Sequence, residues 1–233
     1  MTFFNSSQPL VRRKQTQLDI QDLEGLIRWR WQINQTTLMA WLYTRIDQVF
    51  LLWGWLAGII FLTPQFFPSL SWHYQALVWS VLTVLAIGLM AKLAWFWVTV
   101  EQLRWLVYLW GGLMLLGLGL TDYGILVGSG AILMRLCPIW LTVCALGYGA
   151  MGVGMRSRTF LLFSLLHGAA MPVLPLAPSY QFLTTGLVIA GSLFALAEVQ
   201  WDMRPPLDSE VLTPAQQAFN REQRRLRSCQ EQA

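Results

Sequence analysis

Apolar residues gather into six long stretches, near 46–63, 74–97, 103–121, 130–151, 159–177 and 180–201, with short polar or proline-bearing breaks between them. Each is close to the roughly 20 residues that an α-helix needs to cross about 30 Å of hydrocarbon. The breaks carry turn chemistry. Thr63-Pro64 to Pro68-Ser69 closes the first stretch, and Thr121-Asp122-Tyr123-Gly124 closes the third. Gly154-Met155-Arg156-Ser157-Arg158 parts the fourth from the fifth, and Pro175 and Pro178 close the fifth. The pattern predicts an all-α, polytopic integral membrane protein with about six transmembrane helices over residues 45–202. Only a short proline-rich turn divides the last two stretches, so the pattern allows 159–177 either to cross fully or to re-enter.

The flanks read differently. In 17–44, Ile20, Leu23, Ile27, Trp31, Leu38 and Trp41 recur near three- and four-residue spacing with polar residues between them, which predicts an amphipathic helix. With Arg28-Trp29-Arg30-Trp31 in it, that helix is expected either to lie in the cytoplasmic headgroup layer or to pack on the bundle. Residues 1–16 read as a disordered basic tail. Residues 203–233 read as a cytoplasmic tail with a short helix starting at Thr213-Pro214 and disorder after Ser228.

Composition strengthens the membrane reading. The chain is 55% hydrophobic and 12% charged, with a mean hydropathy of +0.48, whereas a soluble domain carries roughly 25% charged residues. The 13 Trp fit side chains that gather where helices cross the headgroup layer. The net charge of +4 sits in tails and turns rather than on a folded domain, which points to a membrane surface and not to nucleic acid. With six spans, every one of the 16 Lys and Arg except Arg135 falls on one side. The positive-inside rule then places both termini in the cytoplasm. The first 44 residues carry Arg12, Arg13, Lys14, Asp19, Asp22 and Glu24 instead of an apolar signal core, so the first span is expected to be an uncleaved anchor.

Few residues offer chemistry. His167 is expected near the bilayer midplane, beside Gly168-Ala169-Ala170 and Pro172, where the proline should free the Gly168 carbonyl. Such an imidazole suits a pigment, a metal or a proton relay, or simply a bond to a neighbouring helix. His73 is expected at the far interface, so the two histidines cannot clamp one haem. Asp122 and Arg135 flank one loop and are expected to pair as a structural clamp. Tyr148 is the further polar candidate within a span. Lys92 and Glu198 lie near the ends of their spans and are expected to snorkel. Cys137 and Cys144 are too far apart along one helix for a disulfide, and Cys229 lies in the tail. The small-residue pairs Gly54/Gly58, Ala145/Gly149 and Ala150/Gly154 predict close helix crossings.

The sequence holds no zinc-protease, nucleophile-elbow, phosphate-loop or dinucleotide motif, so it names no catalytic residue, metal site or cofactor. Three functions are therefore expected in turn. The first is a non-catalytic scaffold, assembly or regulatory component of a membrane complex. The second is a small transporter or channel, and the third is a pigment- or redox-cofactor-binding subunit. The expected partners are the lipid bilayer and membrane proteins, other copies of this chain included.

Overall fold

The structure, a computed structural model, describes residues 3–4, 9–33 and 36–231. Six helical rods are long and apolar enough to cross a membrane. They are α2 (Arg45–Phe66), α3 (Trp72–Val100), α4 (Arg104–Val127), α6 (Leu136–Gly154), α7 (Arg158–Ala170) with a 3₁₀ extension (Met171–Leu176), and α8 (Gln181–Glu198). The single-turn α5 (Gly130–Leu133) precedes α6. The fifth stretch is thus a continuous helical rod from Arg158 to Leu176, and not a broken one. Pro172 tightens it to 3₁₀ geometry, and the Met171 N–H takes the Gly168 carbonyl that the proline was expected to leave free.

Local chemistry sets the helix ends. Thr44 and Asp47 form a reciprocal capping box at the start of α2. Ser71 and Ser157 cap α3 and α7 through their hydroxyls. Gly128 ends α4 in the left-handed region at φ 67°. Two non-glycine residues, Gln102 at φ 54° and Arg156 at φ 52°, turn the chain sharply after α3 and α6. α2 packs on α8 and α3, α6 packs on α7 and α4, and α3 packs on α4. One continuous core joins Phe50, Met90, Leu106, Leu141, Phe160 and Leu196. Elsewhere the apolar side chains face outward, as with Leu77, Leu85, Leu126 and Leu165. An apolar exterior of this kind suits a lipid solvent.

The amino-terminal flank departs from expectation. The helix expected over 17–44 is a single turn, α1 (Ile20–Leu23), followed by an antiparallel hairpin of β2 (Ile27–Ile33) and β3 (Thr36–Tyr43). The run Arg28-Trp29-Arg30-Trp31 alternates with a period of two, and the β-branched and aromatic residues of 36–43 favour strands. That alternation outweighs the incidental three- and four-residue spacing. The tail expected to be disordered over 1–16 contributes β1 (Val11–Arg12), which pairs antiparallel with β4 (Gln200–Trp201). The last helix, α9 (Pro214–Glu231), runs past Ser228, where disorder was expected. Arg227 near its end is anchored to Asp19 at 2.7 Å. Residues 1–2, 5–8 and 232–233 of the segments expected to be disordered lie outside the described residues.

Candidate functional site

His167 occupies the middle of its rod and is fully buried. Its Nδ1 donates to the Phe163 carbonyl one turn back at 2.8 Å, which fixes the tautomer with Nε2 as the acceptor. That Nε2 has no partner among the described residues. Tyr148 lies against it, with ring centroids 5.0 Å apart, and also stacks on Phe160. The bundle holds a cavity of about 120 Å³ lined by such residues as Phe50, Met90, Leu106, Cys144, Tyr148 and Leu193. Tyr148 is on its wall, and His167 and every charged side chain are not.

The expected Asp122–Arg135 clamp is not formed. Asp122 instead accepts from the Ser80 hydroxyl on α3 at 2.7 Å, while Arg135 is exposed at the residue before α6. The single turn α5 stands between them in the chain, and the Asp122 carboxylate is engaged by Ser80 rather than by a guanidinium. Cys137 and Cys144 are buried free thiols, and Cys229 is exposed. Lys92 and His73 are exposed on α3. Glu198 accepts from the Tyr43 hydroxyl at 2.5 Å, tying the hairpin base to the end of α8.

The glycines divide by what a side chain would meet. A Cβ at Gly54 would lie 2.8 Å from the Phe194 ring, and one at Gly154 would run into the Trp105 ring. Gly149 leaves 3.2 Å to the Ser164 hydroxyl, and Gly58 has nothing within 4 Å. Gly147 and Gly152, which the small-residue pairs did not mark, are equally tight, against Trp110 and Leu161.

The densest polar chemistry lies elsewhere, at the end of the bundle where both flanks and the turns after α3 and α6 meet. Asp202, just past β4, is its first hub. It accepts from the Ser157 hydroxyl at 2.9 Å, the Thr159 N–H and hydroxyl at 2.9 and 2.7 Å, and the Arg158 N–H and Nε at 3.0 and 2.9 Å. Burial alone raises an aspartate pKa. Here the bonds from Thr159 and Arg158 outweigh burial and hold Asp202 below the ordinary range.

Asp19 is the second hub. Arg227 pairs with it at 2.7 Å and Arg224 at 3.6 Å, fastening α9 to the amino-terminal segment. Asn220 adds two bonds there, accepting from the Ile20 N–H at 2.8 Å and donating to Gln21 at 3.1 Å. Gln21 in turn donates to Glu101 Oε1 at 3.1 Å, and Arg204 donates to the Glu101 carbonyl. The Trp97 indole donates to Asp22 at 3.0 Å. Asp19 and Glu101 are buried and Asp22 half-buried beside them, so three carboxylates share one cluster. Burial raises all three, and Asp22, beside Asp19 and Glu101, is pushed up to about 7.

This cluster borders a polar cavity of about 290 Å³ roofed by the amino-terminal segment, β4 and α9. The cap was not read from the sequence. The bonds just described join residues 43 to 208 positions apart, and the hint in the sequence was the crowding of charge at both flanks. Among the described residues no three His, Cys, Asp or Glu side chains gather to hold a metal ion. No known protein family matches the chain, and neither the curated proteins nor the solved structures offer a match.

Proposed function

We propose that the chain is a multi-pass membrane protein with both termini on the cytoplasmic face, acting as a non-catalytic scaffold, assembly or regulatory component of a membrane complex. The observation that carries this reading is the division of chemistry within the molecule. The interior cavity of the bundle is walled by apolar side chains. The polar network is confined to one end, where it binds both flanks into a single cap. A transport path needs polar groups at depth, and catalysis needs convergent groups around a reacting centre. A rigid apolar bundle with a built polar face offers instead a platform for partners.

The basic end also fits the inner leaflet. Arg45, Arg104, Arg156, Arg158 and Arg204 all lie at or beside helix ends there. The hairpin enters α2 directly through Thr44. Its register sets Ile27 opposite Tyr43 and Trp29 opposite Trp41, which makes one strand face aromatic and apolar, with Arg28 on the other. Trp29 is 68% exposed. An aromatic face with arginine behind it suits the headgroup layer.

Solubilisation in mild detergent followed by native electrophoresis tests the function. The protein is expected to migrate in an assembly larger than itself, with partners identified by mass spectrometry. A solitary species under every mild condition would overturn the reading. Accessibility tags after Phe67 and at the carboxyl terminus are expected on opposite sides of the membrane, and tags on one side would overturn the orientation.

A further inference from the structure

We infer that the polar cavity under the cap is a binding site for a small zwitterion carrying an ammonium group and a phosphate. Glu101 is the first reason. It is 2% exposed and lines the cavity, and its Oε2 has no hydrogen-bond partner among the described residues. A carboxylate oxygen held this way calls for a donor, and an ammonium supplies one with charge. Asp22 lines the same cavity, and neither it nor Glu101 has an ion pair among the described residues, whereas Asp19 and Asp47 are paired.

Arg204 supplies the second reason. Its Nη2 is spent on the Glu101 carbonyl, which fixes it beside that residue, while its Nε has no partner among the described residues. A cationic donor therefore stands beside the Glu101 backbone with one N–H unspent, and an anionic oxygen group on the ligand matches it. The lining as a whole holds four carboxylates and five cationic side chains. This near-balance disfavours a ligand of large net charge and favours one bearing both signs. Trp97 and Trp201, with ring centroids 6.4 Å apart, add aromatic surface on the bundle side. The volume of about 290 Å³ lies at the small end for ligand sites and admits a headgroup or a compact metabolite, not a whole nucleotide.

The same chemistry has two sources. One is the headgroup of an ethanolamine phospholipid, since the cavity sits by Ile46 in the first turn of α2 and by Val199 just after α8, at the level of the helix ends. The other is a free aminophosphate. Calorimetric titration of the full-length protein in detergent with O-phosphoethanolamine, and native mass spectrometry after nanodisc reconstitution with phosphatidylethanolamine in phosphatidylcholine, separate them. Saturable binding of the soluble compound indicates the free ligand, and selective retention of the ethanolamine lipid alone indicates the headgroup. Either supports the site.

In the arm that binds, Glu101→Gln, which still accepts from Gln21, is expected to weaken binding at least 10-fold. Phosphocholine, which has no ammonium N–H, is expected to bind at least 10-fold more weakly than O-phosphoethanolamine. Absence of both wild-type signals, or binding unchanged in Glu101→Gln and equal for phosphocholine, would overturn the inference. These readouts do not depend on whether the protein migrates in a larger complex.

Discussion

The indole of Trp97 donates to Asp22 Oδ1 at 3.0 Å, so the last turn of α3 holds the amino-terminal segment by a bond to a carboxyl whose pKa is pushed up to about 7. In the released segment Asp22 titrates near its ordinary 3.8. Between those values the docked state binds more protons than the released one, so docking weakens as pH rises from about 4 to 7 and changes little above. Asp19 and Glu101, also raised by burial, act in the same direction. Allowing for the solvent that reaches Asp22, its share is on the order of 2 kcal/mol. Hydrogen exchange, corrected for intrinsic rates, is expected to show lower protection of residues 18–23 and of α9 at pH 8 than at pH 5. Asp22→Asn is expected to shrink that difference to the part carried by Asp19 and Glu101, and equal or greater protection at pH 8 in the wild type would refute the mechanism.

Asp202 has the opposite sign. Its folded pKa is depressed, so its contribution is present above the ordinary aspartate pKa and disappears as pH falls through the folded value. It accepts from two hydroxyls, two backbone N–H groups and a guanidinium, and Asp202→Ala leaves these donors at the start of α7 without it. Loss of a buried, charge-assisted cluster of this kind costs about 3 kcal/mol. Thermal unfolding in detergent at pH 7 should register it as a clear fall in Tm. Asp202→Asn, which keeps one acceptor oxygen, should fall about half as far. A Tm unchanged in Asp202→Ala would show that β4 and α7 are held together by packing alone.

Six apolar rods were legible because lipid demands about 20 apolar residues per crossing, and that demand is written locally. The hairpin was misread because Ile20, Leu23, Ile27 and Trp31 fit helical spacing while Arg28-Trp29-Arg30-Trp31 fits strand spacing, and the shorter signal was the decisive one. The buried polar cluster was not legible at all. Asp19 meets Arg227 across 208 positions, and Ile20 meets Asn220 across 200. Nothing about an isolated aspartate or arginine in a polar flank reveals such a partner. Arg135 shows the converse error, since proximity along the chain to Asp122 stood in for proximity in space.

Helix crossings in the bundle should tolerate change according to what stands opposite each glycine. A methyl at Gly152 would lie 2.6 Å from a Leu161 side-chain carbon and 2.9 Å from the Leu161 backbone nitrogen, which cannot yield without moving α7. Gly152→Ala is expected to destabilise by about 1–3 kcal/mol. Gly58→Ala meets open space and is expected to be neutral or slightly stabilising, since alanine is the better helix former by about 1 kcal/mol. Paired thermal-unfolding curves of the two variants check this. A Gly58→Ala protein less stable than Gly152→Ala would mean that Gly58 faces another chain.

His167 separates the remaining readings of the bundle. Its Nδ1 is committed to the Phe163 carbonyl, and its Nε2 is a buried acceptor with no partner among the described residues. Leaving such an acceptor unsatisfied costs about 1–3 kcal/mol. If the imidazole is only structural, His167→Leu removes that cost, fills a similar volume between Tyr148 and Phe163, and should be as stable as the wild type or more so by about 1 kcal/mol. The purified wild type should then show no visible absorbance that depends on this residue. If instead the Nε2 lone pair holds a pigment or metal, His167→Leu should lose a co-purifying absorbance or ion and fall in stability by more than about 2 kcal/mol. The apolar wall of the neighbouring cavity, which His167 does not line, favours the first outcome. The second would displace the scaffold reading in favour of a cofactor-bearing subunit.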